Sequence, residues 1–358
     1  MAGRDPLLRS RAPGALLLPR RRGIAANATA VRCTLLRAAL SLAAGLTVLL
    51  LTMPLEAQQA PRAIPRVGYV SGASDSRREE AFREGLRELG YVDRRTIVIE
   101  YRFAAGRYEQ LPVLVGELVK LDVAVIVAAT TPAIQAAQRA TRTIPIVMTL
   151  GEAAEGTIAS HAHPGGNITG LTTINTELIG KRLELLKEAR PRLSRVAVLL
   201  NPSNPISAGQ RKSVQEAGHA LRVQVQLVEV RKMPDIDVAI ESAARERADA
   251  LLAMPDQLIG DLRQNRLPEL AIRHRLPTMF WGSGFTRAGA LMGYGPDEPD
   301  VHRRAASYVD KILKGASPGD LPVEQPSKFE FAINLKIAKT LGLTIPQSLL
   351  LRATEVIQ

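Results

Sequence analysis

Two adjacent hydroxyl side chains follow a short apolar run near the middle of this sequence. The run Val123–Ala129 stops at Thr130 and Thr131, and a helical pattern follows Pro132. Such a run predicts a strand buried on both faces, with Thr131 as helix N-cap and Pro132 as first helical residue. Hydroxyls beside the positive end of a helix can hydrogen-bond an anionic or polar ligand. We therefore expect at least one of the two threonines to contact a ligand.

Other polar residues hold equivalent places after the first and fourth predicted strands. Ser71 and Ser74 follow the first strand, where they either bind a ligand or only cap the next helix. Glu152 follows the fourth strand and either meets a ligand ammonium group or is simply solvated. These three residues are candidate ligand contacts.

A second set of polar residues comes later in the chain. Asn201 and Asn204 follow a strand as part of an Asn-Pro-Ser-Asn-Pro turn, and Asp256 follows another apolar strand. A carboxylate at such a place can pair with an amino group, because a buried charge needs a matching partner. The alternative is that the asparagines form turns and caps and that Asp256 is a helix N-cap.

Two aromatic residues lie beside glycines at strand ends. Trp281, the one tryptophan of the sequence, precedes Gly282-Ser283-Gly284, and Tyr294 stands between two glycines. Each ring either stacks on a ligand or packs between lobes.

Strands and helices alternate along the chain, and the unit of strand, polar loop and helix recurs about six times. This order implies parallel sheets with right-handed crossovers. The first series has strands at Val67–Val70, Thr96–Phe103, Val123–Ala129 and Ile144–Met148, with helices at Asp75–Leu89 and Tyr108–Lys120. The second has strands at Arg195–Leu200, Val223–Val228, Ala250–Met254, Thr278–Phe280, Ala290–Met292 and Lys328–Asn334, with helices at Glu177–Ala189, Ile236–Arg245, Leu258–His274 and Val301–Lys314.

Two similar series predict two α/β lobes that face each other. In open α/β sheets, ligands bind beyond the carboxyl ends of the strands, which is where the candidate residues fall. No long Gly/Ser linker separates the series. We expect the chain to cross between lobes, and to hinge, near Thr173–Thr176, Thr286–Gly289 and Leu321–Pro326.

The charge distribution argues against a nucleic-acid partner. The net charge is +12, but residues 1–57 hold eight arginines, one aspartate and one glutamate, which is half of the total. The other 301 residues are mildly basic, without a dense patch. Cys33, the one cysteine, lies in the leader, so the remaining chain has neither a disulfide nor a cysteine metal site.

The first 57 residues resemble a secretory leader. Arginines precede an apolar stretch at 38–53, and the small residue Ala57 follows. This pattern predicts a signal peptide cleaved near Ala57, and the alternative is a retained membrane anchor. Cys33 precedes the apolar stretch, so it is misplaced for a lipid anchor. Arg20-Arg21-Arg22 is a weak twin-arginine signal.

Motifs for common catalytic chemistry are missing. The sequence has no G-x-G-x-x-G after its first strand, no phosphate-binding P-loop and no G-x-S-x-G. Its five histidines are scattered, and none has the cysteine or carboxylate partner of a metal site. We therefore expect no catalytic residues, no cofactor and no metal.

Eight collinear stretches resemble bacterial ABC-transporter substrate-binding proteins of the family that includes tryptophan-binding lipoproteins. They are Arg66–Tyr69, Gly85–Tyr91, Ile99–Arg102, Pro164–Gly170, Lys181–Lys187, Val196–Pro202, Tyr308–Gly315 and Asn334–Lys336. The resemblance covers nearly all of residues 64–358. The long arginine-rich leader and the missing lipobox cysteine depart from the family pattern and favour a soluble periplasmic form.

The resemblance implies the type I periplasmic-binding-protein fold, with two hinged Rossmann-like lobes of parallel sheet, three crossovers and the ligand in the cleft. Combined with the predicted elements, it assigns 64–174 and 289–323 to lobe 1, and 175–288 and 324–358 to lobe 2. In this family the ligand is often amino-acid-like. That places its carboxylate at the Ser/Thr loops and its ammonium at Asp256 or Glu152.

The expected function is therefore that of a non-enzymatic, monomeric solute-binding protein that delivers a small polar solute to an ABC permease in the inner membrane. Closure of the lobes traps the solute, and the permease recognises the closed form. The alternatives are a sensory module that presents solute to a membrane receptor and, with less support, a two-lobed α/β transferase.

Overall fold

The computed structural model describes residues 64–72, 74–152, 158–261 and 266–358. The predicted leader, residues 1–57, lies outside them. None of the helices within these ranges is both long and apolar enough to cross a bilayer.

Parallel strands form the centre of both lobes. The described strands are β1 Arg66–Ser71, β2 Val98–Phe103, β3 Val125–Ala129, β4 Ile146–Gly151, β5 Ile168–Thr172, β6 Arg195–Leu200, β7 Gln224–Glu229, β8 Ala250–Ala253, β9 Thr278–Phe280, β10 Met292–Pro296, β11 Phe329–Asn334 and β12 Glu355–Ile357. The described helices are α1 Ser76–Glu88, α2 Leu111–Lys120, α3 Thr131–Ala140, α4 Ile179–Ala189, α5 Ser207–Leu221, α6 Asp235–Arg245, α7 Gln257–Asp261, α8 Arg266–Arg273, α9 Ser283–Arg287, α10 Glu298–Leu313, α11 Leu335–Thr340 and α12 Gln347–Arg352. Short 3₁₀ turns occupy Tyr108–Gln110 and Pro318–Asp320.

The two sheets share one strand order. The first runs β2-β1-β3-β4-β5, and the second contains β7-β6-β8-β9-β10, extended by β11 and β12. Within the described ladders all pairs are parallel except β10 with β11. Successive strands are added in one direction as far as β2 and in the opposite direction from β3 onward. The same reversal separates β6 from β8 in the second sheet, so each lobe has a topological switch point for ligand binding. Both sheets lie in the compact unit formed by residues Ile64–Gln358.

Burial explains why these segments become central strands. All five residues of β3 are buried, as are the last five of β1 and of β6. Helices cover both faces of the first sheet: Phe82 and Leu86 of α1 pack on one face, whereas Leu111 and Leu118 of α2 pack on the other. Strands buried on two faces read as unbroken apolar runs, which is the pattern that predicts them.

One predicted boundary is wrong. Residues 289–323 were assigned to lobe 1, but β10 pairs with β9 and β11 in the second sheet. The chain leaves that sheet only after Pro296, and α10 then packs against α1 of the first lobe. The second crossing therefore lies at about residue 297, rather than at Thr286–Gly289, where α9 ends.

Several helix starts also differ from prediction. Thr130, not Thr131, holds the N-cap position of α3, and Pro132 is in its first turn. Asn204 does not cap α5, which begins at Ser207. The predicted loop after Trp281 instead starts helix α9 at Ser283. For the predicted helix Leu258–His274, the described residues form two helices, α7 and α8.

Candidate functional site

A cavity of about 230 Å³ lies beyond the carboxyl ends of the central strands of both sheets. Its lining includes residues that follow β1, β3 and β4 in the first lobe, and β6, β8 and β9 in the second. Seven of the ten predicted site residues line it: Ser74, Thr130, Thr131, Glu152, Asn204, Asp256 and Trp281.

Thr130 is the most unusual residue of the first-lobe wall. Its φ is +94°, a backbone conformation that β-branched residues rarely adopt. Its buried Oγ1 has no hydrogen-bond partner among the described residues. It precedes the first turn of α3, whose first N–H groups have no carbonyl partner within the helix. Backbone strain of this kind clusters at functional sites, so Thr130 remains a candidate ligand contact.

Thr131 and Glu152 form the adjoining part of this wall. Thr131 Oγ1 accepts from the backbone N–H of Glu152 at 3.0 Å and lies 3.2 Å from the Glu152 carbonyl oxygen. The Glu152 carboxylate accepts from the Thr176 backbone N–H at 2.7 Å and from Thr176 Oγ1 at 2.5 Å. Glu152 is therefore fixed to the first crossing between lobes rather than freely solvated.

An ion-pair cluster completes the first-lobe wall. Arg78 of α1 contacts the Glu298 carboxylate at 2.7 Å and the Asp75 carboxylate at 3.8 Å. Desolvation lowers the pKa of Arg78, but the two carboxylates outweigh it and hold that pKa above its ordinary value. Sequence reasoning missed Arg78 and Glu298 as cavity residues, because 220 positions separate them along the chain.

His302 lies under this wall and is fully buried. Its Nδ1 is 2.8 Å from the Glu298 carbonyl oxygen, which can only accept, so Nδ1 carries the proton. Nε2 then accepts from the Thr149 hydroxyl at 3.1 Å. Burial, with a further contribution from Arg78, lowers the pKa of His302 to about 3, so this imidazole is neutral at pH 7.

Asp256 is the centre of the second-lobe wall. Asn204 Nδ2 donates to its carboxylate at 2.9 Å, and Asn201 Nδ2 lies 3.2 Å from both oxygens. The Leu258 N–H donates at 2.8 Å, so Asp256 also caps the short helix α7. Burial raises the pKa of Asp256, while Asn204 and Asn201 oppose that rise by stabilising the charged form.

Aromatic rings form the rest of the second-lobe wall. Trp281 packs edge-on against Phe285 with ring centroids 4.4 Å apart, and both residues line the cavity. Phe285 in turn stacks on Phe280 at 4.3 Å. These rings give the cavity an apolar face of fixed orientation.

Three predicted site residues do not line the cavity. Ser71 is buried in β1, and Asn201 lies behind Asp256. The Tyr294 ring packs instead against Phe329 and Phe331.

The glycines around Tyr294 have a packing role. A Cβ on Gly295 would lie 1.8 Å from the Trp281 carbonyl oxygen, so only glycine lets β10 approach Trp281 this closely. The two glycines that flank Tyr294 therefore indicate close packing of the strand rather than a ligand-binding loop.

Arg182 of α4 anchors the first crossing to strand β10. It is fully buried, and its guanidinium donates to the Tyr294 carbonyl at 2.8 Å, the Asn175 carbonyl at 2.9 Å and Asn175 Oδ1 at 2.5 Å. Burial lowers its pKa to about 9, so it remains charged at pH 7. Asn175 lines the cavity. The helical spacing of Ile179, Arg182 and Leu186 placed this arginine on a buried face, a signal that sequence reasoning passed over.

The described part of the chain has no group of three or more His, Cys, Asp or Glu side chains suited to hold a cation.

A family model described as ABC transporter substrate binding protein matches residues 66–357. The chain belongs to this family. The resemblance noted in the sequence and the predicted two-lobed α/β fold are therefore confirmed. The family consists of substrate-binding proteins that work with ABC transporters.

Individual relatives agree with this assignment. A curated tyrosine-binding protein from Clostridioides difficile is 28% identical over 267 residues, which cover 74% of this chain and 76% of that protein. Two solved structures share the fold at 24% identity. A conserved domain protein from Vibrio cholerae has a TM-score of 0.77, with 82% of this chain and 99% of that one covered. An ABC domain in complex with L-Trp from Streptococcus pneumonia has a TM-score of 0.73, with 81% and 100% covered.

Proposed function

We propose that this substrate-binding protein captures an amino-acid-like solute in the cavity and delivers it to an ABC permease. The observation that carries the proposal is Thr130, whose strained backbone holds an unpartnered hydroxyl, within the described chain, at the cavity-facing start of α3. A site of about 230 Å³ is smaller than the roughly 300–1,000 Å³ of sites for drug-sized ligands, which suits a solute of amino-acid size.

The first-lobe wall receives the two charged groups of the solute. The Thr130 hydroxyl and the first N–H groups of α3 bind its carboxylate, because a helix N-terminus favours an anion. Glu152 binds its ammonium, since a carboxylate has about four acceptor positions and Thr176 occupies two of them. The hydrogen bond between Thr131 and the Glu152 backbone keeps the two subsites adjacent, as the neighbouring groups of an α-amino acid require.

The second-lobe wall receives the solute's side chain. Trp281 and Phe285 form an aromatic face, which favours an apolar or aromatic side chain. The names of the tyrosine-binding relative and of the L-Trp complex agree with this class of solute.

Delivery to a permease, a periplasmic location and a monomeric state complete the proposal. Two lobes that close around a solute form a surface that a permease can recognise. A leader cleaved near Ala57 places the mature chain in the periplasm without a lipid anchor. The second candidate function is a sensory module that presents the same solute to a membrane receptor. Permease and ATPase genes beside the coding gene favour transport.

A thermal-shift screen tests the proposed solute. The purified chain is heated with each of the twenty amino acids, with common monosaccharides and with small carboxylates. At one hundred times its Kd the solute adds about 2.7 kcal/mol of stability, which raises the melting temperature by roughly 4 °C for a protein of this size. We expect L-tyrosine, L-tryptophan or another amino acid to give the largest shift. A shift with a sugar and with no amino acid contradicts the proposal.

Thr130→Val locates the response in the cavity. This change removes the hydroxyl and keeps the size, and we expect it to reduce the shift. Ser71→Ala is the matched control, because Ser71 is a buried hydroxyl residue that does not line the cavity.

A further inference from the structure

The Asp256 carboxylate is already occupied by the protein. Its described donors are the amides of Asn201 and Asn204, the backbone N–H groups of Leu258 and Ile259, and the Tyr108 hydroxyl. Five donors fill the roughly four acceptor positions of a carboxylate. No acceptor position is left for the ammonium of a solute, although Asp256 lines the cavity.

One of these donors comes from the other lobe. Tyr108 lies in the 3₁₀ turn between β2 and α2 of the first lobe, whereas Asp256 and Gln257 follow β8 of the second. The Tyr108 hydroxyl donates to Asp256 Oδ2 at 3.1 Å and accepts from the Gln257 backbone N–H at 2.8 Å. A single hydroxyl therefore joins the two walls directly.

Gly72, which has no side chain, lies beside this contact. A Cβ on Gly72 would lie 2.8 Å from Gln257 Cγ, across the cleft, and 3.4 Å from the Tyr108 ring. Gly72 thus lets the lobes approach closely enough for Tyr108 to reach Asp256.

The Asp256 carboxylate is held in position by residues of the second lobe alone. Asn201, Asn204 and the start of α7 hold Asp256 in place without any contribution from the first lobe. Tyr108 supplies the remaining donor only when the lobes are together. The second lobe therefore holds the acceptor, Asp256, in position, and closure of the lobes brings in the donor, Tyr108.

We propose that Tyr108 and Asp256, which both line the cavity, form an interlobe latch that stabilises the closed cleft through their contact with each other rather than through the solute. The latch rests on the proposed function in one respect: its role is to trap the solute that the cavity binds. The pair are positioning residues: they act through the distance between the lobes. The latch also holds part of the population closed before a solute arrives.

The distance between the lobes can be measured in protein to which no solute is added. Cys33 is the one cysteine of the chain, so Cys33→Ser combined with Val113→Cys and Val238→Cys gives two unique labelling sites, one on each lobe. Val113 and Val238 are 66% and 64% exposed. Single-molecule energy transfer between dyes at these positions reports the ratio of closed to open molecules.

Tyr108→Phe is the decisive variant, because it removes the hydroxyl and keeps the ring. We expect the ratio of closed to open molecules to fall about tenfold, as for loss of a hydrogen bond to a charged group. Tyr101→Phe is the matched control: it removes a buried first-lobe hydroxyl that has no partner within the described residues. We expect that control to leave the ratio unchanged.

Gly72→Ala tests the latch by a second route. Its methyl group obstructs only the closed arrangement, so we expect the same direction of change without loss of the tyrosine. A Tyr108→Phe ratio equal to that of Tyr101→Phe overturns the latch, even if Tyr108→Phe lowers the melting temperature. Because no solute is added, a failed solute screen overturns the proposed function and leaves this result standing.

Discussion

The two walls of the cavity are built at equivalent switch points, yet they use their polar groups differently. In the first lobe, the Thr130 hydroxyl has no partner among the described residues, and the Glu152 carboxylate accepts two hydrogen bonds there, both from Thr176. In the second lobe, Asp256 is saturated by its own lobe and by Tyr108. Trp281 and Phe285 form the aromatic part of that wall.

The same strand order therefore supports two different roles for polar groups, ligand binding and structural support. Polar groups with unused capacity bind a ligand, whereas polar groups already satisfied hold a structure together. In the proposed function, the first wall is therefore the polar half of the binding site. The second wall supplies an apolar face and the receiving part of the latch.

The largest expected effect comes from removing the buried arginine that anchors the first crossing to the second lobe. Arg182→Met leaves the three oxygens that it binds, two on Asn175 and one on Tyr294, without their donor. Each lost partner costs about 1–3 kcal/mol, so we expect the free energy of unfolding to fall by about 3–5 kcal/mol. Urea denaturation measures it.

The matched control for that change is Arg352→Met on the surface of the second lobe. Arg352 pairs with Glu188, and both side chains are at least a third exposed. Such a pair contributes about 0–1 kcal/mol. Equal losses for the two variants would show that Arg182 does not anchor the first crossing to β10.

The next effect concerns the support under the first wall. The pKa of His302 is about 3 in the folded protein and 6.5 without burial. Below pH 6.5 the unfolded chain binds a proton that the folded chain does not, so stability is lost as the pH falls toward 3. Between pH 7 and pH 5 this histidine removes about 2 kcal/mol.

His302→Gln eliminates that contribution, so its stability should depend less steeply on pH over the same interval. Urea denaturation at pH 7 and pH 5 gives the difference. His161→Gln, at an exposed position, should keep the wild-type slope. An unchanged slope for His302→Gln would mean that the imidazole is not held neutral under the wall.

The smallest expected effect separates the walls by chemistry. Thr130→Val removes the unused hydroxyl, and we expect about tenfold weaker binding of the solute, equivalent to about 1.4 kcal/mol. Thr130→Ser should bind normally. Ile206→Val, a similar small change at the cavity in the second lobe, should alter affinity less than about threefold. Calorimetric titration measures all three, and equal losses at Thr130 and Ile206 would contradict a polar first wall.

The sequence predicted most of the framework because buried parallel strands leave a strong pattern. The runs before Thr130 and Asp256 indicated both switch points and led to three residues that line the cavity, Thr130, Thr131 and Asp256. Strand β10 was placed wrongly because the break after α9 resembled a crossing, whereas the chain adds one more strand to the same sheet before it leaves.

Residues whose role depends on distant partners could not be found in this way. Tyr108 reaches Asp256 across 148 positions, and nothing near Tyr108 in the sequence indicates that contact. The prediction that Tyr294 contacts the ligand has the opposite problem. Its flanking glycines form a distinctive local pattern, but they allow β10 to pack against Trp281. Local patterns identify strand ends, whereas the pairing of side chains across a cleft needs the folded chain.

The most direct test of the central claim is one calorimetric comparison of three compounds. They are the amino acid that gives the largest thermal shift, its decarboxylated amine and its deaminated acid; for tyrosine these are L-tyrosine, tyramine and 3-(4-hydroxyphenyl)propionate. We predict that the amino acid binds with a Kd of about 10 µM or tighter and that both analogues bind at least about tenfold more weakly. An analogue that binds as tightly as the amino acid would contradict a first wall built for both charged groups.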